Sequence, residues 1–257
     1  MKESPLDVRR EDSFAVFTLC RAERRNPLSE ETLTALLEAL HEIPTGDARG
    51  VILAAEGPVF SAGHDYRDLE ARDLEGTRDL LVLCREVMQT IQNLPTPVIA
   101  QVEGLATAGG CQLVASCDLA VAGASARFAV PGGRGGWFCT TPGVALARAV
   151  GRKHALEMLL TGDPIDAETA RAWGLVNRVV SDDRVADETR DLLGRATRGS
   201  RASKALGKRA FYRQVDLDTE DAYDWATEVM ATSSQSDDAR EGIRAFLEKR
   251  RPDFTDL

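Results

Sequence analysis

The sequence predicts a β/α domain over residues 1–195, followed by a helical region over residues 196–257. Two observations carry this prediction. Short runs rich in β-branched and apolar residues alternate with segments of helical periodicity through the first part, which is typical of a β/α domain. From residue 186 to 249 the pattern is helical and rich in charge, and no low-complexity linker or internal repeat interrupts the chain.

The individual elements follow from local patterns. Strands are predicted at residues 14–19, 50–55, 97–102, 118–122 and 176–180, and helices at residues 28–43, 74–93, 109–116, 142–150, 153–160 and 166–174. Ser29 is a suitable N-cap for the first helix, because its hydroxyl can accept from a free backbone N–H. Pro95 ends the long helix. Asp166 can cap the helix that closes at Gly174, where the left-handed conformation favours glycine.

Composition and charge exclude several classes of function. The 257 residues are 43% hydrophobic and 28% charged, as in globular proteins with a sizeable core. A net charge of -9 argues against nucleic acid or an anionic membrane as partner, because both need a basic surface. No apolar run reaches the roughly 20 residues of a membrane span. The charged residues 1–12 lack the apolar core of a signal peptide.

Cysteine and histidine usage predicts free thiols and no metal. The cysteines form an odd set without CxxC spacing, which favours a reducing compartment; they are Cys20, Cys84, Cys111, Cys117 and Cys139. The three histidines show no ligand spacing with one another or with these cysteines. A cytoplasmic protein is therefore expected, with the mitochondrial matrix as the alternative.

Two glycine-containing loops each follow a predicted strand. The segment FSAGHD occupies residues 60–65, and GLATAGGCQ occupies residues 104–112 and enters a helix directly. Glycine permits positive φ and close approach of a ligand, and the first N–H groups of a helix lack internal partners. One N–H from each loop, converging on a carbonyl oxygen, would stabilise an enolate or a tetrahedral oxyanion. The alternative is that these glycines only turn the chain.

The order of short motifs along the chain resembles the crotonase (enoyl-CoA hydratase/isomerase) superfamily. The matching segments are FSAGHD (60–65), PVIAQVEG (97–104), GGCQL (109–113), CDL (117–119), TG (161–162), IDA (165–167), WGLVN (173–177), EGI (241–243) and FLEKR (246–250). They cover nearly the whole chain. The resemblance implies a spiral of ββα units, a helical C-terminal region that builds homotrimers or hexamers, and an acyl-CoA ligand without a tightly bound cofactor.

The resemblance also assigns residues to the site. The oxyanion donors of the family fall on the backbone N–H groups of His64 and Gly109, in loops that place Ala62 and Asp65 beside the substrate. Basic residues should meet the CoA phosphates, and a solvated basic rim is the alternative; the candidates are Arg24 and Arg25 before a CoA-facing turn. Phe246 and Lys249 match a family aromatic and lysine that reach the nucleotide, often across a subunit interface.

Both catalytic glutamates of family hydratases are replaced. The two positions are Gln112, three residues beyond Gly109, and Gly132 in the loop after the next strand. Glutamine cannot exchange a proton near neutral pH, and glycine has no side chain. A general acid or base contributes ~10²–10⁴ in rate, while one oxyanion donor contributes ~10²–10³. Classical hydratase activity is therefore expected to be weak or absent.

Four other side chains are candidates to replace the missing acids. Asp65 is better suited to fixing its own turn, and Cys111 lies in a helix where a core position is expected. Cys139 is a candidate to line the acyl pocket. Arg134 can meet a substrate carboxylate or remain solvated.

Residues 104–118 and 138–150 resemble one subgroup in particular. This subgroup consists of animal enoyl-CoA hydratase domain-containing proteins and their bacterial relatives. It likewise lacks the glutamates.

Three functional hypotheses remain open from the sequence. The first is an acyl-CoA enzyme, either a hydratase or isomerase with displaced acids or an enolate-forming decarboxylase. The second is a non-catalytic acyl-CoA binder or a structural subunit of an oligomer. The third, a serine hydrolase, is weak, because Ser61 and His64 are too close in sequence for a triad and no GxSxG motif occurs.

Overall fold

A computed structural model describes residues 4–255. The predicted regions 1–195 and 196–257 extend slightly further, because residues 1–3 and 256–257 lie outside the described residues. The strands are β1 Leu6–Glu11, β2 Phe14–Leu19, β3 Pro27–Leu28, β4 Gly50–Ala55, β5 Val59–Ser61, β6 Gly63–His64, β7 Val98–Val102, β8 Leu105–Thr107, β9 Leu119–Gly123, β10 Arg127–Ala129, β11 Ile165–Asp166 and β12 Arg178–Val180. The helices are α1 Glu30–Glu42, α2 Tyr66–Glu70, α3 Leu74–Asn93, α4 Gly109–Ser116, α5 Thr140–Ala149, α6 Gly151–Thr161, α7 Ala167–Trp173, α8 Val185–Ala196, α9 Arg201–Gln214, α10 Thr219–Ser233 and α11 Asp237–Leu247.

The chain winds as a spiral whose strands alternate between two larger sheets. The first sheet has the order β1-β2-β4-β7-β9-β12, and the second has the order β11-β10-β8-β5. From β4 onward, successive turns place one strand in each sheet: β4 and β5, then β7 and β8, then β9 and β10. The strands of neighbouring turns run parallel, with register pairs such as Ile52↔Ile99 and Ala100↔Ala120. This is the predicted spiral of ββα units.

Burial on both faces explains the apolar character of the central strands. One face of the first sheet packs into the main core with Phe17, Leu53 and Phe128. The opposite face packs against α8 through a second cluster that includes Ile52 and Leu193. Strands covered on both faces become continuous apolar runs rather than alternating ones. The sequence of β4, GVILAA, therefore resembles a buried strand without a polar face.

The predicted caps are confirmed, and the missed elements have physical reasons. The Ser29 side chain accepts from Thr32 N–H, the Asp166 side chain accepts from Thr169 N–H, and Gly174 adopts a φ of 93°. Strand β1 was missed because it is an edge strand whose exposed side chains are mostly charged. The second-sheet strands β5, β8 and β10 have three residues each, too few to show periodicity.

A buried charged network attaches the C-terminal helices to the core. The Lys208 ammonium on α9 donates to the carbonyls of Ile91 and Thr96 at 2.8 and 2.9 Å, and lies 2.6 Å from a carboxylate oxygen of Asp118. Tyr212, one turn later, donates to the other Asp118 oxygen at 2.9 Å. Burial raises the pKa of Asp118 and lowers that of Lys208, and their pairing opposes both shifts. The division at residue 195 itself stays a prediction.

We expect Lys208→Ala to lower the free energy of unfolding by about 3 kcal/mol, because it leaves the Asp118 carboxylate buried without its partner. Urea denaturation followed by circular dichroism measures this loss. Lys204, one turn earlier on α9 and exposed, is the matched control, and Lys204→Ala should change the free energy by less than about 0.5 kcal/mol. Equal effects of the two substitutions would contradict an attachment through Lys208.

Candidate active site

Most of the predicted site residues surround one cavity. Its volume is about 590 Å³, and eight of the eleven predicted residues line it: Arg24, Arg25, Ala62, His64, Asp65, Gly109, Gly132 and Cys139. Gln112, Phe246 and Lys249 are not among its lining residues. The cavity lies where β6, the first turn of α4 and the loop before α5 meet. The two predicted loops and the glycine-rich loop therefore converge on one space.

The two amide-bearing loops touch at Gly63. This residue has a φ of +81°, and a side-chain carbon built on it would lie 2.8 Å from the nitrogen of Gly109 and 3.0 Å from the methyl of Ala108. Gly110 is equally close to the first loop, since a carbon there would lie 2.3 Å from the carbonyl oxygen of Ser61. Only glycine fits at these two positions. The two loops can therefore approach this closely only because residues 63 and 110 are glycine.

The Gly109 amide points out of the helix into which it leads. The Ala108 carbonyl accepts from Gln112 N–H at 3.1 Å, as the first hydrogen bond of α4. In a trans peptide the N–H points opposite to the C=O, so the N–H of Gly109 points along the helix axis, out of the N-terminal end of α4. The first N–H groups of a helix also carry the positive end of its dipole. Gly109 also lines the cavity, so the N-terminal end of α4 lies at the cavity wall.

The His64 amide is directed away from the neighbouring strand. β6 pairs with β3 in parallel, with Pro27 opposite Gly63 and Leu28 opposite His64. Pro27 has no N–H, so the ladder must use the N–H of Leu28 and the amides on either side of His64. Because successive N–H groups of a strand alternate in direction, the His64 N–H faces away from β3. A carbon built on Gly109 would lie 3.8 Å from this nitrogen.

The imidazole of His64 is largely enclosed by the protein. Its Nδ1 lies 3.3 Å from the carbonyl oxygen of Leu28, while Nε2 is buried and has no hydrogen-bond partner within residues 4–255. Burial lowers the pKa of His64, against the smaller raising effect of the Leu28 carbonyl, so the ring is neutral at pH 7. The expectation that His64 serves through its backbone agrees with this packing.

A strained turn holds the first loop in place. Arg25 and Asn26 both have positive φ, 63° and 48°, although neither is glycine. The buried Asn26 side chain accepts from Arg21 N–H at 2.8 Å and donates to the carbonyls of Glu56 and Val59, both at 2.8 Å. The carbonyl of Arg25 in turn accepts from the N–H of Ala62 at 2.9 Å. The basic turn and the His64 loop are therefore one connected unit.

The arginines at the cavity mouth differ in whether they already form an ion pair. Arg24 forms an ion pair with the nearly buried Asp65, whose other oxygen caps α2 by accepting from Arg67 N–H at 3.0 Å. Asp65 thus fixes its own turn, as expected. The side chains of Arg25 and Arg67 line the cavity and make no ion pair within the described residues. Arg67 is not among the predicted residues, because no motif includes it.

Gln112 is enclosed in the structure. It is 6% exposed, and its Oε1 atom has no hydrogen-bond partner in the described part of the chain. An amide side chain in this position neither donates nor takes up a proton near pH 7. Gln112 is thus a nearly buried residue, one turn after Gly109, whose amide oxygen has no partner among the described residues.

Gly132 cannot carry a side chain in this loop conformation. A carbon built on it would lie 2.2 Å from the carbonyl oxygen of Trp137 and 2.7 Å from the sulfur of Cys139. The Cys139 thiol therefore fills the space that a side chain at residue 132 would enter. Burial raises the pKa of Cys139, although a hydrogen bond from the Gly132 backbone opposes the shift. Cys139 lines the cavity, and its place in an acyl pocket stays a prediction.

The remaining candidates lie elsewhere. Cys111 is fully buried, with its pKa raised to about 12 by burial, and is a core residue as expected. Arg134 forms an ion pair with Asp163 at 3.0 Å and does not line the cavity. Phe246 and Lys249 are exposed at the end of α11. Within residues 4–255 no cluster of three or more His, Cys, Asp or Glu side chains is arranged to hold a metal ion.

Gly132→Ala should lower the free energy of unfolding by about 1–3 kcal/mol, because its methyl group collides with the Trp137 carbonyl. Gly135, in the same turn, is the matched control. A carbon there meets no atom within 4 Å and its φ is not positive, so Gly135→Ala should leave stability unchanged or raise it by up to about 1 kcal/mol. Thermal unfolding measures both. A neutral Gly132→Ala would contradict the close packing of this loop.

Comparison with known proteins gives the family. Residues 9–257 match the family model described as enoyl-CoA hydratase/isomerase. The chain is 45% identical to enoyl-CoA hydratase domain-containing protein 3, mitochondrial, of Mus musculus, over 95% of this chain and 82% of that protein. Within residues 4–255 no helix is long and apolar enough to cross a membrane.

Two solved structures share the fold closely. An enoyl-CoA hydratase of Mycobacterium smegmatis has a TM-score of 0.94 and 48% identity, covering 98% of this chain and 99% of its own. The human enoyl-CoA hydratase domain-containing protein 3 has a TM-score of 0.93 and 45% identity, covering 97% and 99%. The fold, the two touching loops and these likenesses agree with the motifs of the sequence. The chain belongs to the enoyl-CoA hydratase/isomerase family, the crotonase superfamily that its motifs resemble.

Proposed function

We propose that this protein binds an acyl-CoA thioester in the 590 Å³ cavity and polarises its carbonyl with the backbone N–H groups of His64 and Gly109. The observation that carries the proposal is the contact of the two loops at Gly63, which brings both amides to one wall of the cavity. Two donors aimed at a carbonyl oxygen stabilise the negative charge of an enolate. The proposed activity is enoyl-CoA hydratase- or isomerase-like, with classical hydration weak or absent.

The side chains around the cavity support the proposal that hydratase activity is weak. Hydration needs a base for the water and an acid for the α-carbon, and the lining carboxylates are Glu23 and Asp65. Asp65 is engaged by Arg24 and by the cap of α2, and Glu23 lies exposed on the basic turn. His64 is neutral with Nε2 enclosed. None of these groups reproduces the pair of glutamates.

Decarboxylation is the second candidate reaction, and the same set of lining side chains favours it. In a 2-carboxyacyl thioester the bond between the α-carbon and the carboxylate breaks, and its electron pair passes to the thioester oxygen as CO₂ leaves. The enolate then takes a proton from water. The amides of His64 and Gly109 stabilise that enolate, and no acid–base side chain is needed to form it. A non-catalytic acyl-CoA binder is the remaining alternative.

The C-terminal helices support a homo-oligomer, either a trimer or a hexamer. Helix α10 has no buried residue, and large apolar side chains on α10 and α11 are exposed, among them Met230 at 77% and Phe246 at 82%. Such exposure is typical of surfaces that another subunit covers. A neighbouring subunit at this surface would also give Phe246 and Lys249 a route to the CoA nucleotide of another site.

Two further expectations belong to this proposal. The ligand is a CoA thioester, with no tightly bound cofactor and no nucleic-acid or membrane partner. Arg25 and Arg67 are free to meet its phosphates, whereas Arg24 must first leave Asp65. Of the two predicted compartments, cytoplasm and mitochondrial matrix, the mitochondrial label of the animal relatives supports the second.

Turnover of crotonyl-CoA by the native protein and by Gln112→Glu tests the loss of the acids. We expect slow hydration by the native protein and an increase of at least about tenfold in the variant, because one positioned acid–base group contributes ~10²–10⁴. Gln235→Glu, outside the cavity, is the control and should leave the rate unchanged. Gly132→Glu is not a useful partner substitution, because the Trp137 carbonyl blocks it.

The same assay separates the alternatives. Hydration by the native protein at ordinary enzymatic rates, with kcat of about 10 s⁻¹, would contradict the proposed weak hydratase. Release of CO₂ from malonyl-CoA or methylmalonyl-CoA would select decarboxylation. Micromolar binding of acyl-CoA, without turnover of any enoyl or 2-carboxyacyl thioester, would select the binder.

Met230→Glu should dissociate the oligomer, because burying a carboxylate at an apolar subunit contact is unfavourable. Size-exclusion chromatography with light scattering measures the mass. Thr232, exposed on the opposite side of the same helix, provides the control Thr232→Glu, which adds the same charge without replacing an apolar side chain. A native protein that is monomeric at micromolar concentration would contradict the proposed oligomer.

A further inference from the structure

Ala108 has a backbone conformation that is unfavourable for a residue with a side chain. Its φ is 52° and its ψ is -118°, a combination that glycine adopts readily and L-residues avoid. Four other non-glycine residues in the described chain have positive φ, but Ala108 directly precedes the proposed donor Gly109. Strained backbone persists only where the surrounding structure fixes it, and such residues cluster at functional sites.

Hydrogen bonds on both sides fix this conformation. The N–H of Ala108 donates to the carbonyl of Ala129 in β10 at 2.9 Å, and its own carbonyl accepts from Gln112 N–H in α4 at 3.1 Å. The value of ψ at Ala108 sets the plane of the peptide that joins it to Gly109. The strained residue therefore determines the direction of the Gly109 N–H.

The methyl group of Ala108 packs against the first loop, next to the contact of the two loops. A carbon built on Gly63 would lie 3.0 Å from this methyl, so the methyl packs directly against the backbone of the first loop. His64, the next residue along that loop, carries the other proposed donor amide. Ala108 also lines the cavity. The methyl thus packs beside the contact between the two chain segments that supply the proposed donors.

We propose that Ala108 is a positioning residue of the oxyanion hole, a spacer whose methyl sets the distance between the His64 and Gly109 amides at the expense of backbone strain. The inference rests on the proposed function, since it concerns the same two amides. Glycine at this position would relax the backbone and would also remove the spacer. Loss of activity and gain of stability should therefore occur together, which is the trade-off expected where a strained residue serves function.

The test compares Ala108→Gly with Ala115→Gly, a substitution in the same helix at a partly buried position with ordinary helical geometry. Ala108→Gly should raise the melting temperature or leave it unchanged, whereas Ala115→Gly should lower it. Binding is measured with CoA and with a chromophoric 3-aryl-enoyl-CoA, whose absorption shifts to the red when its carbonyl is polarised. In Ala108→Gly we expect a smaller red shift and about tenfold less preference for the thioester over CoA, part of the ~10²–10³ effect of one donor.

Each outcome decides a separate claim. A red shift and a preference that survive unchanged in Ala108→Gly would overturn the spacer role and leave the proposed function intact. A melting temperature that falls as far as in Ala115→Gly would overturn the strain and with it the inference. If the native protein binds the thioester without any red shift, the oxyanion hole itself is refuted, and the proposed function fails together with the inference.

Discussion

The close contact of two backbone segments at Gly63 is the constraint on which the rest of the site depends. The Gly109 nitrogen and the Ala108 methyl occupy the space that any side chain at Gly63 would need. This contact is possible because β6 is held to β3 and because the first turn of α4 lies against Ser61. The spiral brings these segments together from different turns, so the two proposed donors are both backbone groups. Donors of this kind do not depend on the side chains that surround them.

The same loops make the proposed loss of the acid–base pair compatible with an intact cavity. Gly132 is packed against the Trp137 carbonyl, and the Cys139 sulfur fills the neighbouring space, so the fold is compatible with glycine and not with glutamate there. Gln112 keeps a polar side chain of similar size to glutamate, but its oxygen is left unpaired. The proposed oxyanion donors are thus separate from the two positions proposed for proton transfer. A protein built this way fits reactions in which the enolate forms without a base, or binding of the thioester alone.

The sequence predicted those features that local chemistry determines. The caps at Ser29 and Asp166, the helix that starts at Gly109 and the buried strand β4 follow from residue types that have few alternatives. Tertiary contacts determine the rest. The Arg24–Asp65 ion pair joins residues far apart in the chain, and the clash at Gly132 depends on a carbonyl five residues away in an irregular loop. The unusual ψ of Ala108 cannot be inferred from an alanine between threonine and glycine. The roles of the site residues stay predictions until a ligand is bound.

A structure of this protein with an acyl-CoA analogue, whose thioester sulfur is replaced by CH₂ to prevent turnover, tests the central claim most directly. The account predicts the acyl carbonyl oxygen at about 2.7–3.1 Å from the nitrogens of both His64 and Gly109. It also predicts no carboxylate within hydrogen-bonding distance of the α-carbon. A carbonyl oxygen bound elsewhere, or held by a side chain instead of these two amides, would contradict it.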